Sequence, residues 1–223
     1  MIAHANGIDI YYEQSGQGRP FLLLHGNGES HAIFDGLAAA LKARYCVYAL
    51  DTRCHGKSTQ TAAISYRDMM EDVAAFIVTL GLDRPLVLGF SDGAITGILL
   101  AIHYPRLLSG LISCGANTRP SQLSRWFLFF SKLGYRVTKD PRLKMMYTEP
   151  DISDEELATI EAPVLVLAGT RDVIPVPVTK AIAAAIPQSE VRILEGQTHT
   201  SYIRHPERVL AAMGPFLGRQ AGV

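Results

Sequence analysis

An α/β fold, with a mostly parallel central sheet flanked by helices on both faces, is predicted by three features of the sequence. Short continuous apolar runs recur along the chain, stretches of helical length and spacing lie between them, and a glycine-bounded turn joins one run to the helix that follows. Runs that are apolar on both sides mark strands buried in a parallel sheet. Their alternation with helices implies right-handed crossovers in an open sheet.

The elements follow in order. GIDIYYEQSG (7–16) alternates apolar and polar residues and predicts an antiparallel edge strand or hairpin arm. FLLLHG (21–26), YCVYALD (45–51), PLVLGF (85–90), LSGLISCGA (108–116), PVLVLAG (163–169) and EVRILEG (190–196) predict the buried strands. Between them, HAIFDGLAAALKA (31–43), SYRDMMEDVAAFIVTLG (65–81), DGAITGILLAIHYP (92–105) and VTKAIAAAIP (178–187) have the length and periodicity of helices. Residues 118–161 exceed what one crossover requires and predict two or three short helices inserted as a cap above the sheet. Long insertions at the carboxyl ends of parallel strands lie where α/β proteins bind ligands.

Composition narrows the possibilities. The 223 residues fit a single domain over 1–223, and 48% hydrophobic against 19% charged residues suits an ordered core. Lys+Arg and Asp+Glu both number 21, so the basic excess needed to follow a phosphate backbone is missing and no nucleic-acid partner is expected. No run approaches the roughly 20 apolar residues of a membrane span, and the amino terminus lacks the pattern of a secretory signal. Three cysteines cannot all pair, and Cys46 and Cys114 lie in strand-like runs. A cytoplasmic protein with reduced thiols, monomeric or homodimeric, is expected. Histidines and cysteines are scattered without the close pairs of zinc sites, so no metal and no cofactor are expected.

The turn GFSDG (89–93) carries the chemistry. Ser91 follows a strand and precedes a helix, so the chain must reverse sharply there with Gly89 and Gly93 allowing strand and helix to approach. The hydroxyl is thereby exposed, and the Asp92 N–H falls at a helix amino terminus where unpaired donors favour a developing oxyanion.

This strand, turn and helix resembles the nucleophile elbow of the α/β-hydrolase fold family. LLLHGNGES, DTRCHGKS, GFSDGA, GTRDVIP and GQTHTSYI stand in that family's order and approximate spacing over nearly the whole chain. The resemblance implies a catalytic set of Ser91, Asp172 and His199, in the chain order of the family. It also implies an oxyanion hole built from the peptide N–H groups of Asn27 and Asp92, with Gly28 as a further candidate from the same loop. In DTRCHGKS, Cys54 stands where the family usually has glycine, which puts the conformation of that bracing loop in doubt.

A serine at the elbow implies acyl transfer to water through an acyl-enzyme, with a small acyl ester, thioester or amide as substrate. In RWFLFF, helical spacing groups Trp126 with Phe129 and Phe130; Trp126 and Phe130 are candidate walls of an acyl pocket, and Tyr202 a further pocket residue. The short cap predicts a modest, rather open site. The Asp92 carboxylate could attract an ammonium group on an aminoacyl ester. Rival readings on the same frame are a cofactor-free acyltransferase, a C–C bond hydrolase, and a ligand-binding protein without turnover.

Overall fold

Residues 1–220 are described by a computed structural model. The chain opens with a hairpin of β1 (Ile2–Ala5) and β2 (Ile8–Ser15). Its two-residue turn has positive φ at both Asn6 (50°) and Gly7 (75°), the geometry that joins two twisted antiparallel strands. Then come β3 (Arg19–Leu24), a 3-10 turn at His31–Phe34, α1 (Asp35–Leu41), β4 (Tyr45–Leu50), α2 (Tyr66–Thr79), β5 (Leu86–Phe90), α3 (Asp92–His103) and β6 (Gly110–Cys114). After β6 the chain forms α4 (Arg125–Thr138), α5 (Pro141–Thr148) and α6 (Asp154–Leu157). It closes with β7 (Val164–Arg171), α7 (Val176–Ala185), β8 (Ser189–Thr198), α8 (Ser201–Arg204) and α9 (Pro206–Gln220).

All eight strands lie in one sheet, in the order β1-β2-β4-β3-β5-β6-β7-β8. The pairings from β4 onward are parallel, while β1–β2 and β2–β4 are antiparallel. Alternate residues of the central strands feed two apolar layers: Leu22 and Leu24 join the layer under α2 and α3, and Phe21 and Leu23 the layer under α1 and α9. Both faces of the central strands β3 to β7 are therefore covered and their sequences are largely apolar, whereas β8, expected from EVRILEG (190–196) to be buried, is an edge strand with no buried residue and carries Glu190, Arg192 and Glu195.

The chain leaves β3 for β4 on one side and later returns to build β5 on the other, so the order reverses between β3 and β5. In open α/β sheets such a switch point opens a crevice at the carboxyl ends of the strands. Leu24 pairs with Gly89 there, which sets the loop after β3 beside the turn after β5. Of the residues between β6 and β7, α6 packs against α3 and α7, and its Leu157 is buried in the main core. The stretch that reaches over the crevice is α4 and α5.

Candidate active site

The turn after β5 shows why its residues are small. Ser91 has φ 53° and ψ −116°, a left-handed backbone that a residue with a Cβ adopts at a cost of order 1–3 kcal/mol. It is held because the Ser91 N–H donates to the Cys114 carbonyl at the end of β6 (2.8 Å) and α3 begins at the next residue. A Cβ on Gly89 would lie 2.1 Å from the Gly93 carbonyl oxygen, and one on Gly93 would lie 2.1 Å from the Leu24 carbonyl oxygen. Backbone meets backbone at both places, so both positions require glycine.

Three loops converge on the hydroxyl. His199, just after β8, places Nε2 3.0 Å from Ser91 Oγ and Nδ1 2.6 Å from Asp172 Oδ1. Asp172, just after β7, has a fully buried carboxylate. Burial works against its charge, but the His199 hydrogen bond and charge, with the N–H groups of Ile174 and Gly169, outweigh that and hold its pKa below the usual value. An ionised acceptor on Nδ1 fixes the imidazole with its proton there and leaves Nε2 free to accept from Ser91.

The other side of the crevice is the loop after β3. His25 is buried, and its Nδ1 donates to the Gly26 carbonyl (2.8 Å) while Nε2 accepts from the Thr52 N–H (3.1 Å). Asn27 and Asp92 both line the cavity above Ser91, and among the described residues the backbone N–H of neither has a partner. The Asp92 side chain is buried, accepting from Tyr66 Oη at Oδ1 and from Asn27 Nδ2 at Oδ2, each at 2.8 Å. Burial raises its pKa against those two donors. Asn27 Nδ2 also reaches the Arg142 carbonyl in α5 (3.4 Å), so one side chain ties the β3 loop to both the elbow and the cap.

The loop after β4 holds Cys54 where the resembled motif has glycine. Cys54 has φ 62°, a left-handed backbone that explains why glycine suits the position. Its Sγ lies 3.0 Å from Thr61 Oγ1 and 3.3 Å from the Thr61 nitrogen, contacts that help hold it. Asp51 accepts from the His31 and Lys57 N–H groups, and Arg53 forms a buried two-pronged ion pair with Asp72.

A cavity of about 170 Å³ opens above Ser91 and His199. Five residues lie otherwise than expected. Trp126 and Phe130 are 73% and 62% exposed on the outer face of α4 and form no cavity wall; Phe127, one residue on from Trp126 and about 100° round the helix, does. Tyr202 is fully buried behind the cavity, donating to Asp172 Oδ2 (3.3 Å) and packing on Phe90, and is not among the residues that line the cavity. Gly28 is exposed outside the cavity, with φ 72° and nothing near its Cβ position. The Asp92 carboxylate, with both oxygens already engaged, offers no open anion to an ammonium group.

Sequence reasoning missed Leu123, Met146, Val173, Ile174 and Glu29. The first four form an apolar wall from the cap and the loop after β7, and no local pattern marks them. Glu29 lies within HGNGES; its Oε2 accepts from the Gly26 N–H (3.3 Å), and burial raises its pKa. It brings an acidic group to the cavity beside Ser91. Among the described residues no group of three or more His, Cys, Asp or Glu is placed to hold a metal ion.

The fold and this crevice define an α/β hydrolase. The family model described as alpha/beta hydrolase fold matches residues 19–143, more than half of the chain, and the chain belongs to that family. It is similar to the pimeloyl-[acyl-carrier protein] methyl ester esterase of Aeromonas hydrophila subsp. hydrophila, at 24% identity over 95% of this chain and 100% of that one. Among solved structures, a thermophilic esterase from Thermogutta terrifontis superimposes with a TM-score of 0.81 at 23% identity, covering 99% of this chain and 98% of that one. A meta-cleavage product hydrolase from Pseudomonas fluorescens IP01 gives 0.84 at 17% identity, covering 98% and 97%. These two likenesses are likenesses of fold.

Proposed function

We propose that the chain is a serine hydrolase of small acyl esters, carboxylesterase-like, acting through Ser91, His199 and Asp172. The observation that carries this is the unbroken run of hydrogen bonds from Ser91 Oγ through the His199 ring to a buried, ionised Asp172, set on a strained turn. His199 Nε2 takes the proton as Ser91 Oγ attacks the carbonyl carbon, and Asp172 stabilises the imidazolium that forms. The Asn27 and Asp92 N–H groups receive the oxyanion, and losing one such donor typically costs about 100-fold to 1,000-fold in rate. Collapse expels the alcohol, protonated by His199, and leaves an acyl-enzyme that water attacks with His199 again as base.

The apolar wall and small volume favour a short, uncharged acyl group. The engaged Asp92 oxygens remove the reason to expect a preference for aminoacyl esters. Three unpaired thiols suit a reducing cytoplasm. The test is a series of p-nitrophenyl esters from acetate to decanoate. The proposal expects kcat/KM to be highest for the shortest chains and to fall at least about 1,000-fold in Ser91→Ala. Hydrolysis that survives in Ser91→Ala would refute the assignment. Acyl transfer to added alcohols or thiols that outpaced hydrolysis would favour the acyltransferase reading.

A further inference from the structure

Five of the nine large apolar side chains exposed among the described residues lie on one helix, α4: Trp126, Phe129, Phe130, Leu133 and Val137. Their spacing places them in a single stripe pointing away from the body, since residues three, four, seven and eleven apart share a helix face. The three aromatic rings pack on one another there, with centroids 5.5–6.4 Å apart. The opposite face of α4 is already used: Phe127 lines the cavity and Ser131 is buried. Burial against the protein therefore does not account for the outer stripe.

A second stripe runs alongside it. Arg125, Lys132, Arg136 and Lys139 repeat at helical spacing on one flank, and none of them forms an ion pair among the described residues. Residues 119–148 carry seven basic residues and one acidic residue, Asp140, which is paired with Arg142. The acidic residues of the same insertion, Glu149, Asp151, Asp154, Glu155, Glu156 and Glu161, come after α5, with Asp151 paired to Arg119, so the unpaired positive charge gathers on α4 and α5 rather than on the whole cap.

We infer that the outer face of α4 docks on an anionic lipid surface, lying in the plane of the interface. A helix with an aromatic and aliphatic face beside a basic flank is suited to that position, its rings at the headgroup boundary and its cations against lipid phosphates. A second copy of the chain would bring the same positive stripe to the contact, with no acidic partner on the helix to offset it. An acidic protein would answer the charges but leave a convex aromatic ridge to be covered. No described helix is long and apolar enough to cross a membrane, so the attachment is peripheral. Docking does not depend on the hydrolase reading.

Trp126 is the only tryptophan in the chain and sits at the start of the stripe, so the protein carries its own probe. Intact protein is mixed with vesicles of phosphatidylcholine alone or of equal phosphatidylglycerol and phosphatidylcholine, and read by tryptophan emission and by flotation. The inference expects a blue shift and co-flotation with the anionic vesicles. Binding should be at least tenfold weaker to phosphatidylcholine alone or in 0.5 M salt, and at least tenfold weaker in the double variant Phe129→Ser, Phe130→Ser. Those two positions are exposed, and circular dichroism with thermal unfolding checks that the variant is folded. Absence of a shift and of flotation with both vesicles overturns the inference. A blue shift that grows with protein concentration without lipid overturns it in favour of self-association, and equal, salt-insensitive binding to both vesicles overturns the role of the basic stripe.

Discussion

Acidification should weaken the fold through His25, at the base of the loop that carries Asn27. Its ring is fully buried; burial first, and then the neighbouring His55, push its pKa from 6.5 down to about 4, with the Gly26 carbonyl and Asp51 opposing. The geometry gives the reason, because Nε2 must stay unprotonated to accept the Thr52 N–H. A histidine in the unfolded chain binds its proton near pH 6.5 and the folded one only near pH 4, so stability is complete above 6.5 and is lost as pH falls between those values. At about 1.4 kcal/mol per pH unit, the loss between pH 7.5 and 5 is about 2 kcal/mol. His25→Asn keeps a donor for Gly26 and removes the titration. Urea unfolding of both proteins, followed by circular dichroism at constant ionic strength, should give a stability difference that shrinks by about 2 kcal/mol from pH 7.5 to pH 5. Parallel pH profiles would refute the assignment of a neutral, hydrogen-bonded His25.

Three further outcomes are expected. Gly93→Ala drives a Cβ into the Leu24 carbonyl, and because backbone cannot yield cheaply it should cost about 3 kcal/mol or more in thermal unfolding. Phe127→Ala should enlarge the cavity and move the ester preference towards longer acyl chains, while Trp126→Ala, on the outer face of the same helix, should leave that preference unchanged. Asp92→Asn retains one acceptor for two donors, so it should loosen Asn27 and lower kcat about tenfold with little change in KM; losing a whole oxyanion donor costs about 100-fold or more.

How much the sequence reveals depends on whether a feature is local. The central strands are legible because each is apolar on both faces, and the turn at Ser91 because glycines must stand at 89 and 93; EVRILEG (190–196) is read correctly as a strand but not as a buried one, because it lies at the sheet edge. The orientation of α4 is not: helical spacing groups Trp126 with Phe130 but does not say which side of the helix meets the body, and the cavity takes Phe127 instead. Helix α9 is unforeseen, since Pro215 and the glycines at 214 and 218 are poor helix formers. It is held by tertiary burial of Val209, Met213, Phe216 and Leu217. The engagement of Asp92 by Tyr66 and Asn27 joins residues 26 and 65 positions apart and leaves no trace in the local pattern.

The most direct test of the proposed chemistry is the intact mass of the protein after treatment with a small fluorophosphonate, beside Ser91→Ala and His199→Ala. The reagent reports an activated serine without knowledge of the natural substrate. One adduct on Ser91, absent in the first variant and slowed at least about 100-fold in the second, is the result expected of a serine whose base is His199. A folded wild-type protein that takes no label, or takes it equally in Ser91→Ala, would contradict the account.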